Sequence, residues 1–582
     1  MNETPPSPAA GESRELLLFQ MGPVQEFIAQ ARSTLDLWSG SYLLSWLVAH
    51  AIVAAWKAEG GNVSFGDMVM PSMGRNDNPL IFALLDRKSF VSNEEAEKAL
   101  IPNLPNRFAM VVPDGTGMER AKAAADAIRS ELTAIGTSVW TWLYGHGAKT
   151  EWRDRFFTQL AAFPQITWAV RPWKKDEPFE TAWDVVNDAL AARRNTRDFL
   201  QWDPVSKDAA VKDSLSGKEE CIGDEAFWEN LRRDCPLFKT SGHCYGAMNL
   251  VKRLWCRVDD AETGKNYLAG SLVFKDRQIM EALRVPDLPS IARANEDPSV
   301  PYVAVLAFDG DHMGELVDKQ KVEGKDGVRD ISKALSGFAL GKVPDIVKTH
   351  DGHLIYAGGD DVLAILPSSK AVPCAQAIRK AFREIKNFSL DGSCGIAVGH
   401  SKGAPLQMLV KQAQRMEGVA KNRYGRGALA IAVYKRSGEI LEWGCKWESK
   451  SLALMPKITK LSNEGKLAGR FPYALAALLQ PYELGKMKPD DFEEFKGVIS
   501  SEVEHVLERQ GDKLSKEERT DLESEIAGHL ESVAKGVDQP ETRVVGRELT
   551  EEEKKGERKV RPDDFLGLFL VETFLNRKRE GK

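Results

Sequence analysis

The chain has 582 residues, of which 43% are hydrophobic, and a formal net charge of −6. One hydrophobic core rarely serves such a length, so several domains are expected, and the negative charge excludes a general attraction to nucleic acid. Seven scattered cysteines exclude the pattern of a disulfide-rich secreted protein. The polar N-terminus has no secretory signal, so we expect a cytoplasmic protein without a membrane partner.

Residues 1–180 are predicted to form an α/β domain that opens with strand, turn and helix. A strand over 14–19 ends at Gly22-Pro23, and a long helical pattern runs from Val24 to about Ala58. Its most apolar part, 42–56, is too short to cross a bilayer and is interpreted as a buried helix. A helix is predicted over 118–135, and strand-like runs lie at 62–70, 80–85, 107–112 and 165–170.

The rest of the chain is predicted to contain a helical insert, a second palm and a helical C-terminal domain. The insert spans 181–300, the second palm 301–450 and the C-terminal domain 451–582. In the second palm the predicted order is strand 302–308, helices across 312–348, hairpin 353–367, helix 371–386, strand 393–398, helix 406–423 and strand 428–434. The fold class is therefore α+β, with two ferredoxin-like palms and two largely helical domains.

A short internal repeat links the two predicted palms. Residues 17–22 resemble residues 306–311, and a helix follows each copy. Gln20 stands in the first copy where Asp309 stands in the second. Because neutral Gln is a poor substitute for an anionic Mg²⁺ ligand, only the second palm is predicted to carry metal chemistry.

Three aspartates form the predicted catalytic and metal site. Asp309 ends one predicted strand, and Asp360 and Asp361 follow Gly358-Gly359 at the tip of the adjacent hairpin. Joining nucleotides requires in-line attack on a phosphate, which two carboxylate-bound divalent ions can assist. The alternative is an ordinary solvent-facing hairpin with acidic turn residues.

Glycines and cations near these acids suggest contacts to a nucleotide. Gly358 and Gly359 can take positive φ in a tight turn and allow close approach of a triphosphate. Lys421, Arg423 and Arg426 close the predicted helix before the last palm strand, where they could meet phosphate charge. Simple pairing of cations with a helix C-terminus is the alternative.

Several motifs together resemble one protein family. The segments 22–28, 31–32 and 37–44, the Asp-Gly-Asp-His-Met-Gly run at 309–314 and the Gly-Gly-Asp-Asp hairpin at 356–361 are similar to the large palm subunit of type III-B (Cmr-type) CRISPR effector complexes. Segments 104–108, 420–422, 428–438 and 469–473 also fit. The similarity touches nearly the whole chain.

The resemblance implies a target-RNA-activated nucleotidyltransferase that makes cyclic oligoadenylates from ATP with Mg²⁺ or Mn²⁺. It also implies that the two palms form a composite nucleotide pocket. Guide RNA, target RNA and other Cmr-type subunits are the implied partners. The implied nucleotide-binding residues are Gly310, Gly358, Gly359, Lys421, Gln25 and Phe27. Two alternatives stay open, namely a catalytically silent scaffold and a palm enzyme that adenylates another acceptor.

Two departures from the family pattern limit the transfer. Only 13 residues precede the first predicted strand, so we expect no N-terminal His-Asp nuclease domain. Relatives often hold zinc with paired Cys-x-x-Cys motifs, and paired spacing is what makes such a motif persuasive. Here the insert has unpaired cysteines, which favours a lost or remodelled zinc site over a retained one: Cys221, Cys235, Cys244 and Cys256.

The basic residues predict little RNA affinity for the isolated chain. No long basic stripe is present, and the strongest local patch is Arg193, Arg194 and Arg197.

Overall fold

In a computed structural model the chain divides into two compact units. The first contains Met1–Val285, Gly314–Gly341 and Ile355–Gly359, and the second contains Pro286–Met313, Lys342–Leu354 and Asp360–Lys582. The structure describes residues 13–575 except 75, 87–88, 91, 175, 197–210, 239–241, 272, 275–284, 296–297, 387, 485–488 and 536–561.

The first unit is built on a four-stranded antiparallel sheet. Its strands are β1 (Arg14–Gly22), β2 (Met68–Met70), β3 (Arg107–Pro113) and β4 (Gln165–Trp173). Their order in the sheet is β2-β3-β1-β4, with β1 central between β3 and β4. Together with the helices between strands, this order gives the split β-α-β ferredoxin-like arrangement that was predicted.

Helices cover this sheet and continue into the insert. In chain order they are Gln25–Ala29, Thr34–Lys57, Pro79–Asp86, Asn93–Ala99, Gly117–Gly145, Arg153–Ala162, Phe179–Asn195, Glu225–Asp234, Ala247–Leu254, Met313–Gln320 and Lys325–Gly341. Phe179–Asn195, which we call the first-palm helix, packs Trp183, Val186 and Leu190 against Leu16 and Leu18 of β1. This helix thus completes the first palm, although the predicted boundary falls at residue 180. The four-domain division itself stays a prediction.

The single long helix predicted from Val24 to Ala58 is wrong, because the chain forms two helices there. Ser33 is the reason for the break. Its side chain accepts a hydrogen bond from the Asp36 amide, and the Asp36 carboxylate accepts one from the Ser33 amide. This capping box fixes a new helix start at Thr34.

The apolar helix Thr34–Lys57 is long and apolar enough to span a membrane by composition alone. Within the first unit, however, 83% of its most apolar window is buried. The prediction of a buried helix over 42–56 is therefore confirmed.

Two predicted strand-like runs before residue 90 are corrected. Residues 80–85 lie in the helix Pro79–Asp86, where proline at the first position loses no helical hydrogen bond. Residues 62–70 give only the three-residue strand β2, preceded by the short 3₁₀ turn Phe65–Asp67. Short apolar runs fit a helix and a strand equally well, so periodicity alone did not separate the two.

The second palm sheet has six strands in the order β10-β9-β8-β5-β7-β6. They are β5 (Tyr302–Gly310), β6 (His353–Gly358), β7 (Asp361–Pro367), β8 (Gly392–His400), β9 (Ala428–Tyr434) and β10 (Ile440–Lys446). Central β5 pairs antiparallel with β7 and β8, while β8 and β9 are parallel. The segment β8-β5-β7-β6 has the same order as β4-β1-β3-β2, so the predicted pair of palms is confirmed.

Most helices of the second unit flank this sheet or follow it. They are Leu288–Ala292, Val343–Thr349, Ala371–Arg383, Leu406–Asn422, Lys450–Asn463, Phe471–Leu479, Pro489–Gln510, Lys516–Lys535 and Pro562–Leu575. Leu406–Asn422, which we call the second-palm helix, links the parallel strands β8 and β9. The prediction missed β10, although Leu441, Trp443 and Cys445 are buried and alternate with the exposed Ile440 and the partly exposed Glu442.

Candidate active site of the second palm

The acids of the second palm meet at one end of its sheet. Phe308 of β5 pairs with Val362 of β7, so extending that register by one residue places Asp309 beside Asp361. Asp360 precedes Asp361 in the turn of the hairpin. The sheet thus brings together three carboxylates that are far apart in sequence.

Glycine is needed at several positions around this strand end, for a different structural reason at each. Gly359 has φ +86°, a left-handed conformation that glycine accepts without strain. The positive φ predicted for Gly358 is wrong. Gly358 is instead required because the Tyr356 side chain occupies the space of a Cβ. At Gly310 a Cβ would lie 3.0 Å from the Asp360 Cβ, so this glycine lets the turn approach β5.

The second-palm helix supplies the cation of the site. It can lie close to the sheet because Gly395 of β8 has no side chain, and a Cβ there would strike the helix backbone at Ala413 and Glu417. From its last turns the Lys421 ammonium contacts Asp309 and pairs with Glu417 at 2.7 Å. Glu417 was missed by the sequence analysis, although its i,i+4 spacing to Lys421 was a usable signal.

The carboxylates have strongly perturbed proton affinities. Burial, with the charge of Asp309, raises the pKa of Asp360 to about 7. Burial and the charges of Asp309, Asp360 and Glu417 raise the pKa of Asp361 to about 8. Burial alone would lower the pKa of Lys421, but Asp309 and Glu417 outweigh it and raise that pKa. One ammonium thus faces four acidic groups, and the acids repel one another.

This donor set fits a hard divalent cation in its chemistry. The donors are carboxylate oxygens, which Mg²⁺ and Mn²⁺ prefer, and a cation would offset the burial and the repulsion that raise the pKa values of Asp360 and Asp361. Within the described residues no three acidic, histidine or cysteine side chains are already gathered closely enough to hold an ion. Lys421 lies against Asp309 instead. A cation at Asp309 would compete with this ion pair.

Asp311 has a structural role beside the acids. It is buried, it accepts hydrogen bonds from the Ser393 hydroxyl at 2.9 Å and the Gly427 amide at 2.8 Å, and Lys446 donates to the carbonyls of Gly425 and Arg426 at 2.7 and 2.6 Å. These bonds fix the turn that follows the second-palm helix. They consequently help to hold Lys421 in position.

The two residues predicted to contact a nucleotide in the first palm differ in their exposure to solvent. Gln25 is exposed at the start of its short helix. Phe27 is only 3% exposed, packs against Phe163 and has the Lys252 ammonium 4.0 Å from its ring centroid. Its predicted role as a nucleotide contact stays a prediction, and in the structure the ring is almost wholly covered.

The cysteines of the insert have individual environments. Cys221 and Cys244 form a disulfide, so neither offers a thiolate to a metal. Cys235 is partly exposed, and Cys256 is buried 3.9 Å from the Ser39 hydroxyl. The sequence predicted no disulfide framework. The structure has one disulfide and five free cysteines. A lost or remodelled zinc site stays a prediction.

Comparisons with known proteins agree with this architecture. The family described as "Cas10/Cmr2, second palm domain" matches residues 302–430, and "CRISPR-associated protein Cmr2, N-terminal" matches residues 16–137. The Cmr2 subunit of the CRISPR system Cmr from Pyrococcus furiosus is 23% identical, and the alignment covers 90% of this chain and 72% of that protein.

Solved structures show the same fold. The apo type III-B Cmr-beta structure matches with a TM-score of 0.62 and 13% identity, covering 88% of this chain and 78% of that one. Cmr-beta bound to cognate target RNA matches with a TM-score of 0.59 and 13% identity, covering 97% and 83%. The predicted resemblance to the large palm subunit of Cmr-type complexes is confirmed.

Proposed function

Because this chain has the domains of a Cmr2/Cas10-type large subunit, we propose that it is a target-RNA-activated nucleotidyltransferase of a type III-B CRISPR complex. ATP is the proposed substrate and cyclic oligoadenylate the proposed product. The observation that carries the proposal is the convergence of Asp309, Asp360 and Asp361 at one sheet end beside Lys421. Other Cmr-type subunits, guide RNA and target RNA are the proposed partners, and the cytoplasm is the expected compartment.

Each residue of the site has a proposed task. Asp309, Asp360 and Asp361 hold Mg²⁺ or Mn²⁺, which when bound would stabilise the attacking and leaving oxygens of an in-line displacement. Lys421 exchanges Asp309 for phosphate oxygens, while Glu417 keeps its ammonium over the strand end. The Gly359 turn, with its left-handed conformation, is the proposed place where a triphosphate approaches the backbone.

Replacing Asp360 and Asp361 by Ala tests this proposal. The purified complex is incubated with target RNA, Mn²⁺ and labelled ATP, and its products are identified by mass spectrometry. The double variant should lose at least about a hundredfold in joining rate, because charge stabilisation in a transition state contributes at least that much. Asp345→Ala, an exposed acid of the same unit, is the matched control. Full product formation by the double variant would refute the assignment.

The Lys421–Asp309 ion pair also supports a second candidate, a catalytically silent scaffold. In a silent subunit the ammonium would neutralise Asp309 permanently, and no cation would be needed. The same assay separates the candidates, because a scaffold yields no joined product from the unmodified chain. An adenylated acceptor other than a nucleotide would appear in the mass spectrum as a distinct product.

A further inference from the structure

The two strands that lead to the acids of the second palm are joined by a segment that packs in the first unit. Gly314–Gly341 lies in the chain between β5, which carries Asp309, and β6, which leads to Asp360. It nevertheless belongs to the first compact unit, as does Ile355–Gly359 of the catalytic hairpin. The first unit therefore includes the residues that directly precede Asp360.

The helix Lys325–Gly341, which we call the connecting helix, is part of the hydrophobic core of the first palm. Its Val328 is only 3% exposed and lies in one buried cluster with Leu16 of β1 and Val69 of β2. Val317 of the preceding helix packs against the same cluster. Burial of these side chains anchors the connecting helix at its first turn.

Ion pairs fix the start of the connecting helix as well. Asp67 is 4% exposed, and one of its carboxylate oxygens pairs at 3.0 Å with both Lys325 and Arg14 of β1. We call these three residues the ion cluster. One turn further along the helix, Arg329 donates a hydrogen bond to the Gly66 carbonyl at 3.0 Å. The first turns of the connecting helix are thus held by directional contacts to the segment before β2.

The later turns of the connecting helix lie beside the catalytic hairpin. A Cβ at Gly359 would be 3.6 Å from the Leu335 side chain, which is an ordinary van der Waals distance. The Ala357 amide of β6 also donates to the Pro102 carbonyl at 2.9 Å. Asp360 follows Gly359 directly in the chain, so groups of the first unit hold the backbone that leads into the acidic turn.

We propose that the ion cluster positions Asp360, and with it the metal ligands of the second palm. The identity of Asp360 as a metal ligand rests on the proposed function. While Lys325 pairs with Asp67, the connecting helix keeps Leu335 against Gly359 and supports the turn before Asp360. When the pair is broken, the start of the helix is released and the turn loses this support. Asp67 and Lys325 are thus positioning residues for nucleotide joining.

The alternative is that the ion cluster serves the fold of the first palm alone. Val328 already anchors the same turn of the helix by burial of apolar surface, and such burial has no preferred direction. Charged hydrogen-bonded pairs add geometric specificity, so the ion cluster fixes the rotation of the helix about its axis. That rotation decides whether Leu335 or a neighbouring residue meets Gly359. A positioning task therefore explains why the turn has a second, directional anchor.

Hydrogen–deuterium exchange of the full chain measures the hairpin directly, whether or not the chain is catalytic. Lys325→Met removes the ammonium and keeps the apolar stem. Peptides that contain residues 355–361 should then exchange about threefold faster, as expected for the loss of a partly exposed ion pair. Exchange in β4, at the far edge of the first sheet, should not change.

Two variants control for charge and for substitution in the connecting helix. Lys333→Met removes an exposed cation of the same helix and should leave exchange of the hairpin unchanged. Lys325→Arg should also retain the exchange of the unmodified chain, because a guanidinium can pair with Asp67. Asp67→Asn tests the cluster from its other side and should accelerate hairpin exchange even if Lys325→Met fails to fold.

Nucleotide joining by the assembled complex, measured with labelled ATP, is the second readout. Lys325→Met should lower kcat about tenfold and change the KM for ATP by less than about twofold, because a misplaced metal ligand affects the transition state more than substrate binding. Lys325→Arg should restore kcat, which a loss of general stability does not predict.

The two readouts separate this proposal from the proposed function. Faster hairpin exchange in Lys325→Met, with no product from the unmodified complex, would support the positioning of the hairpin and refute the proposed function. Unchanged hairpin exchange in both Lys325→Met and Asp67→Asn would overturn the positioning role, whatever the complex produces. Acceleration that extends equally to β4 would also overturn it, since the ion cluster would then stabilise the first palm as a whole.

Discussion

At the scale of single residues, the acids of the second palm are held in a state that costs stability. Asp360 and Asp361 have pKa values raised to about 7 and about 8 by burial and mutual repulsion. The folded chain therefore keeps protons that the unfolded chain loses near pH 4. Stability from these carboxyls is complete below that pH and is lost as the pH rises through 7 to 8.

This linkage predicts the effect of replacing both acids. Asp360→Asn with Asp361→Asn should raise the free energy of unfolding at pH 8 by about 1–3 kcal/mol relative to the unmodified chain, and by much less at pH 5. Denaturant unfolding at the two pH values measures the difference. Lys252 and Glu219 also have pKa values near 7 because of burial, but they cancel in the comparison. A stability difference that is equal at both pH values would contradict the account.

The sequence was enough to select candidate site residues, but it was not enough to predict their surroundings in the fold. Asp309, Asp360 and Asp361 were found because a strand end and a hairpin tip can be recognised locally. The burial of Phe27 could not be predicted, because it depends on Phe163 and Lys252, which lie far away in sequence. The position of Arg107 opposite Gln20 required strand register, which a single sequence does not reveal.

At the scale of elements, the position of the second-palm helix depends on one glycine. A Cβ at Gly395 would meet the backbone of Ala413 and Glu417, which cannot rotate away as a side chain can. The helix carries Glu417 and Lys421, so its distance from β8 sets the distance of the cation from Asp309. The packing of the second-palm helix on β8 therefore affects the geometry of the site.

Gly395→Ala should destabilise the fold by about 1–3 kcal/mol, as overpacking in a core usually does, and it should reduce nucleotide joining. Gly418→Ala on the same helix is the matched control. Its Cβ would meet nothing within 4 Å, so this change should stabilise the helix by up to about 1 kcal/mol. Thermal unfolding and the joining assay together test the pair. Equal behaviour of the two variants would show that close helix packing is not what Gly395 provides.

Elements with strong local signals were predicted well, and those set by capping or tertiary pairing were not. The hairpin 353–367 and the helix 406–423 agree with the structure to within a residue. The break at Ser33 depends on a reciprocal hydrogen bond with Asp36, which the apolar pattern on both sides concealed. The helix over 80–85 was mistaken for a strand because its apolar run has no clear period.

At the scale of the whole molecule, the chain contains the same palm topology twice with opposite charge at the equivalent strand end. The second copy gathers acids around Asp309, and the first gathers guanidiniums around Gln20. Two domains with the same topology and different charge can each serve a different part of one reaction. We propose that divalent metal binds at the second palm alone.

Binding of Mn²⁺ by the full chain, followed by electron paramagnetic resonance in the presence of a non-hydrolysable ATP analogue, tests this claim most directly. Asp360→Asn with Asp361→Asn should abolish bound Mn²⁺, because two of its three carboxylate ligands lose their charge. Arg107→Gln should leave bound Mn²⁺ at the level of the unmodified chain. Undiminished Mn²⁺ binding by the Asp360→Asn, Asp361→Asn chain would contradict the account.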